Sequence, residues 1–230
     1  MAIVDKEFGE IKIRKNKLAR SVKLSVGVDG SLRASIPYYS PEFAVRRLVN
    51  GNRDEIRKML ATHNAKNSYQ DGDLIGKTHT LFLRKFSGEE IKISNEGNQI
   101  LVQIPQELAF ENPLVQSEIR KTVSKILRKQ AKAYLPRRIS FLAEKYGFSF
   151  EKLRFSHTGT RWGSCSSSGT ISLNTALMNL PHHLIDYVII HELCHTRQMN
   201  HSSKFWQEVE KYCPDYKKYV QEIKQFSPSI

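Results

Sequence analysis

Between Leu184 and Cys194 the chain presents Leu184, Ile185, Val188, Ile189, Ile190, Leu193 and Cys194. On an α-helix turning about 100° per residue, these side chains point in nearly every direction. A helix without a polar face has to be enclosed by its own domain, which commits the chain to building a core around it. The same helix nevertheless carries His191, Glu192 and His195. Burying two imidazoles and a carboxylate is costly unless they pair or bind metal, so this segment constrains chemistry as firmly as fold.

His191 and His195 are four apart, leave the helix on one face a single turn from each other, and can grip one ion. Glu192 lies about 80° round from their mean direction. That is too far to join them easily, but it suits a general base acting on water at the ion. A catalytic zinc takes three protein ligands and leaves the fourth position to water, so a third ligand is required. His201 is the nearest candidate. On an unbroken helix it would sit about 15 Å along the axis from His191, so the helix has to end first. The expectation is a turn at Met199 and Asn200, with Asn200 left-handed and Ser202 or Ser203 capping a new helix from near Lys204. Glu208 and Glu210 on that helix are the rivals, each giving two histidines and a carboxylate. Cys194 faces away from both histidines and reads as packing. Cys165, with His157 nearby in sequence, offers a thiol nucleophile as a lesser reading.

The 230 residues hold 36 Lys and Arg against 23 Asp and Glu, a net charge of +13. This is no basic tail, because residues 117–138 alone hold eight Lys or Arg against one Glu. Ile119, Val123, Ile126, Leu127, Tyr134 and Leu135 recur there at helical spacing, while Arg120, Lys121, Lys125, Arg128, Lys129 and Lys132 take the other side. The segment reads as an amphipathic helix whose basic face is either a solvated surface or a contact for nucleic acid or another polyanion. No run approaches the roughly 18 apolar residues of a membrane span, and the first residues carry no apolar signal region. Cys165, Cys194 and Cys213 are an odd number and form no disulfide framework. A cytoplasmic protein with no membrane partner is expected; oligomeric state is left open.

Upstream, Val22, Leu24, Val26 and Val28 alternate before Asp29-Gly30, and Leu32, Ala34 and Ile36 alternate after it, which signals a hairpin. Pro41 to Met59 reads as one or two helices interrupted near Asn50-Gly51. Asp71-Gly72-Asp73 returns the chain to strands around Leu81 and Leu83, followed by a hairpin of Ile91 and Ile93 with Ile100, Val102 and Ile104, turning at residues 95–98. A helical region from Pro113 to Tyr146 should bend or break at Pro136. Short strands then precede the metal helix at Lys152 to Ser156, Arg161 to Cys165 and Thr170 to Asn174, the last two forming a hairpin. That hairpin can offer a free edge to an extended peptide. The fold class expected is α+β, with an antiparallel β-rich region over 1–105 and a second domain over 106–230 built on the buried helix.

Arg161-Trp162-Gly163-Ser164-Cys165, Leu173-Asn174, Pro181, Asp186-Tyr187-Val188, His191-Glu192-Leu193-Cys194-His195, Asn200-His201-Ser202 and Phe205-Trp206 resemble the YgjP-like, or DUF45, family of zinc metallopeptidases. The resemblance implies a zincin-like core in 106–230, with Zn2+ held by His191, His195 and His201 and Glu192 as the catalytic base. The histidine spacing is also that of metzincins, but those carry glycine where this chain has Gln198. A peptide or protein substrate follows, with water attacking the carbonyl. Arg161, Tyr216 and His157 are candidate oxyanion donors; Trp162, Phe205 and Trp206 read as core around the site. The alternative is a zinc-stabilised binding module that contacts nucleic acid through the basic helix.

Overall fold

Ile11 and Ile13 on one strand, and Leu32, Ala34 and Ile36 on another, place every second side chain on the same face of a sheet, and all five are buried. A computed structural model of the chain describes residues 2–27 and 31–230. Contacts divide it into two compact units, one of Met1–Gln70, Leu83–Lys92 and Gln103–Arg120, the other of Asp71–Phe82, Ile93–Val102 and Lys121–Ile230.

In the first unit, β1 (Ala2–Asp5), β2 (Gly9–Asn16), β3 (Lys23–Val26) and β4 (Leu32–Pro37) form a sheet in the order β1-β2-β4-β3. Val26 opposes Leu32 in the antiparallel β3–β4 pair; the expected turn at Asp29-Gly30 lies outside the described residues. The expectation of an antiparallel region is corrected in part, because β2 and β4 run parallel, with Ile13 opposite Ala34. Strand alternation tells which face is apolar, whereas the neighbour is chosen by distant packing. Here β4 inserts between β2 and β3. Helices α1 (Phe43–Gly51) and α2 (Arg53–Asn67) add Val45, Val49 and Ile56 to the same core. Arg53 of α2 bonds Asp5 and Glu7, and Arg57 bonds Glu7.

A second sheet joins β5 (Leu74–Ile75), β6 (His79–Phe86), β7 (Lys92–Glu96) and β8 (Gln99–Pro105) in the order β5-β6-β8-β7. Gly97 turns the chain between β7 and β8 at φ 57°. Helix α3 spans Pro113–Tyr146 as a single helix with Pro136 inside it, so of the expected bend or break at that residue the break does not occur. An interior proline costs about 3 kcal/mol, but Leu135, Ile139 and Leu142 are buried on either side of it. Burial of Leu or Ile contributes roughly 1.5–3 kcal/mol each, which outweighs the defect. The basic side of α3 is exposed at Lys121, Lys125, Arg128, Lys129 and Lys132, whereas Arg120 is buried and does not belong to it.

In the second unit, β9 (Lys152–Ser156), β10 (Gly163–Cys165) and β11 (Thr170–Asn174) form a sheet in the order β10-β11-β9. β10 is antiparallel to β11 and β11 parallel to β9, so β10 is an edge. Helices α4 (His182–Cys194), α5 (Ser203–Tyr212) and α6 (Tyr216–Glu222) follow. Nine of the thirteen α4 residues are buried, as an all-round apolar helix requires. Arg138 of α3 holds Asp186 of α4 through two parallel bonds, Nε to Oδ1 at 2.6 Å and Nη2 to Oδ2 at 2.5 Å, which fixes the rotation of α4. Among the described residues no helix is long and apolar enough to cross a membrane. The chain is thus of the α+β class.

Candidate metal centre

Helix α4 stops at Cys194, with His195 as its C-terminal cap. The amides of Arg197 and Gln198 both reach the Cys194 carbonyl, and the Thr196 hydroxyl donates to the Leu193 carbonyl at 2.8 Å. This spends the last carbonyls of the helix on a tightened turn. The break therefore falls one turn earlier than the expected Met199-Asn200. No described non-glycine residue has positive φ, so Asn200 is not left-handed and Gln198 needs no glycine-like conformation. Helix α5 begins at Ser203 after Ser202, whose side chain makes no capping bond.

The early turn brings His201 back over α4. Its Nε2 lies 3.2 Å from Nε2 of His191, which is itself 3.2 Å from Nε2 of His195. The ligand atoms of all three lie within 4.8 Å of one another. Two nitrogens bound tetrahedrally to zinc at about 2.0–2.1 Å stand roughly 3.3–3.4 Å apart, so this spacing fits one ion shared by three imidazoles. His195 Nδ1 lies 3.0 Å from the Gln198 carbonyl. A carbonyl only accepts, so Nδ1 carries the proton and Nε2 keeps its lone pair for a metal. Burial, then His195 and His201, push His191 down to about 3, and burial lowers His195 as well. Both are neutral at pH 7, the state in which an imidazole can bind a metal. The other rivals are placed elsewhere: Glu208 pairs with Arg197 at 2.5 Å and Glu210 with Lys217 at 3.8 Å.

Rings fix these imidazoles. Phe205, fully buried on α5, stacks on His195 at 4.4 Å and meets His191 and His201 edge-on at 4.9 Å each. Trp206 stacks between His201 at 5.7 Å and Tyr216 at 5.3 Å. The two aromatics thus orient the histidines as well as filling the core, a role that the sequence signals only through their one-turn distance from His201.

A cleft of about 330 Å³ opens on the histidines, lined by Arg161, Gly163, Ser164, Cys165, His191, Glu192, His195, Met199 and His201. Glu192 is only 5 % exposed, and its buried Oε2 has no hydrogen-bond partner. Burial pushes its carboxyl up to about 8, against the pull of the Arg161 guanidinium. A methyl group on Gly163 would stand 2.7 Å from Oε1 and 2.8 Å from Cγ of Glu192, so the carboxylate rests on β10 where only glycine leaves room. Asn174, also buried, donates to the carbonyls of Thr158, Arg161 and Pro228 at 2.6–2.9 Å and accepts from the Ala176 amide at 3.0 Å. It ties the approach to β10 to the end of β11. Of the three candidate oxyanion donors, Arg161 alone lines the cleft. Cys165 also lines it, but burial and then Glu192 push its thiol up, away from the thiolate a nucleophile needs.

The antiparallel ladder sets which main-chain groups face the cleft edge. Asn174 N–H donates to the Trp162 carbonyl and Ser166 N–H to the Thr170 carbonyl, and Ser164 opposes Ser172. Alternate residues 162, 164 and 166 thus pair inwards, leaving the N–H and C=O of Gly163 and Cys165 directed to the open edge.

A family model described as YgjP-like, metallopeptidase domain, matches residues 20–226. Two solved structures match part of the chain. The metallopeptidase zymogen of Pyrococcus abyssi abylysin is 28% identical, covering 40% of this chain and 93% of that one, with a TM-score of 0.36. The zymogen of Methanocaldococcus jannaschii jannalysin is 22% identical, covering 39% and 93%, with a TM-score of 0.35. No curated protein matches.

Proposed function

We propose, on the premise that this chain belongs to the YgjP-like metallopeptidase family and so is a metal-dependent peptidase, that its metal is zinc held by His191, His195 and His201. Glu192 is the general base. Two Nε2 separations of 3.2 Å about His191, with all three ligand atoms within 4.8 Å of one another, carry this reading. The chemistry belongs to residues 106–230, in a zincin-like arrangement around α4.

Bound zinc supplies Lewis acidity, polarising an amide carbonyl and making water ionisable near pH 7. Glu192, held against Gly163 with Oε2 unpaired, accepts the proton of the attacking water and returns one to the leaving amine. Its shielding from bulk water keeps that proton between base and substrate. The outward groups of Gly163 and Cys165 pair with the main chain of an extended peptide, and Arg161 faces the same cleft.

Glu192→Gln is the test. The variant keeps one zinc per chain and loses cleavage of casein or a peptide library. Unchanged cleavage removes Glu192 as the base, and lost zinc makes it part of the metal site.

A further inference from the structure

The solvent face of the first sheet is organised by register. Across β2, β4 and β3, one row reads Arg14, Ser35, Lys23 and the next reads Lys12, Arg33, Ser25. Ile11, Ile13, Ala34 and Ile36 occupy the opposite, buried face, so these four cations share the open one, and all four are exposed. Neighbouring strands lie about 4.8 Å apart and alternate residues about 6.6–6.8 Å apart, which packs them tightly.

The rows lead into an aromatic cleft. Asn16, two residues beyond Arg14, opposes Pro37. There Lys17, Ala19, Pro37, Tyr38 and Tyr39 line a cleft of about 360 Å³. Tyr39 is 93 % exposed, and its ring meets that of Tyr38 edge-on at 5.3 Å. Lys15 and Lys17 each place an ammonium 5.9 Å from the Tyr38 ring. Exposed rings beside a track of cations are the chemistry that holds an unpaired nucleic acid strand, with phosphates on the cations and bases on the rings. An anionic lipid surface needs cations too, but a 360 Å³ recess floored by tyrosines suits a planar base.

We propose that this sheet face and its tyrosine cleft bind single-stranded nucleic acid, independently of the metal centre. Its residues are not those of the basic side of α3.

The test is fluorescence anisotropy of labelled dT20 and rU20 across a salt series. Wild type binds both, with log affinity falling linearly against log salt. Lys12→Glu with Arg14→Glu and Lys23→Glu weakens binding at least tenfold. It also lowers the salt slope by about 2, at roughly 0.7 per phosphate contact on a single strand. Tyr38→Ala with Tyr39→Ala weakens binding at least fivefold with the slope unchanged. Peptidase rate and melting temperature serve as controls for folding and stay at wild-type values. The proposal is overturned if wild type fails to bind at low salt, or if the sheet and tyrosine variants bind normally. It is equally overturned if Lys125→Glu with Arg128→Glu and Lys129→Glu on α3 abolishes binding instead, or if the sheet charges matter only for phosphatidylserine vesicles.

Discussion

Gly163→Ala tests the fit between β10 and the Glu192 carboxylate, the proposed base. Gly163 is not among the glycines at positive φ, so alanine is acceptable to the backbone and the whole effect is steric. The new methyl group would lie 2.7 Å from Oε1, 2.8 Å from Cγ and 2.9 Å from Cδ of Glu192. Comfortable contacts are about 3.5–4.0 Å, so the carboxylate has to retreat by roughly 0.5–1 Å. Leu193 and Ile189 beside it are fully buried and leave it little room. Overpacking of this kind costs about 1–3 kcal/mol of stability. A misplacement near 1 Å costs on the order of 100-fold in rate, about 2.7 kcal/mol of barrier. The three heavy atoms nearest the new methyl group all belong to Glu192, so zinc stoichiometry should stay at one per chain. The assay is kcat/KM on a quenched fluorescent peptide, with a urea midpoint and a zinc titration on the same protein. In a Glu192→Gln background the substitution should change the residual rate less than about twofold, because the two residues act as a unit. A Gly163→Ala enzyme with the full wild-type rate refutes the placement of Glu192.

Other expectations rest on separate features. His201→Ala should lower zinc affinity by orders of magnitude against a chromophoric chelator while Glu208→Ala leaves it unchanged; the opposite result makes the carboxylate the third ligand. In metal-free protein the Glu192 carboxyl, raised from 4.5 to about 8 by burial, binds a proton more tightly folded than unfolded. Stability from this group is therefore intact below about pH 4.5 and declines as pH rises towards 8. Glu192→Gln should then stabilise the metal-free protein by about 3 kcal/mol at pH 7 and hardly at pH 4, read from urea midpoints; equal effects at both pH values contradict the burial. Asn174→Ala removes the side-chain partner of three carbonyls and one amide, of which the Arg161 carbonyl keeps the Thr158 hydroxyl, and should cost about 2–4 kcal/mol in urea unfolding; a loss below about 0.5 kcal/mol removes its anchoring role. Cys165→Ala should cleave peptide at the wild-type rate, whereas a dead enzyme reinstates the thiol as a nucleophile.

Features carried by local periodicity were legible in the chain. The absence of a polar face from Leu184 to Cys194 announced a buried helix, and α3 occupies the predicted Pro113 to Tyr146. The need to break the helix before His201 followed from rise per residue alone. What stayed hidden depends on partners distant in sequence. β1 and β2 alternate weakly and gain definition from each other, Ile3 facing Ile11, and the β2–β4 pairing closes over the intervening β3. Pro136 read as a bend or break because its cost is local, whereas the burial that offsets it is spread over the helix. Gly163 read only as part of a short strand; its purpose appears when Glu192 lies against it. Asn174 looked like an ordinary strand end until its four bonds were placed.

The edge strand is only three residues long. Long exposed edges recruit strands from other molecules, but this one has two outward residues and therefore four main-chain groups to offer a guest. At about 0.5–1.5 kcal/mol per hydrogen bond, such a guest is held loosely enough to leave after it is cut. One of those two residues is glycine, so half of the contact carries no side chain with which to read sequence. On the proposed docking mode, a client segment must offer its own main chain unpaired, so selection would fall more on the state of the client chain than on its side chains.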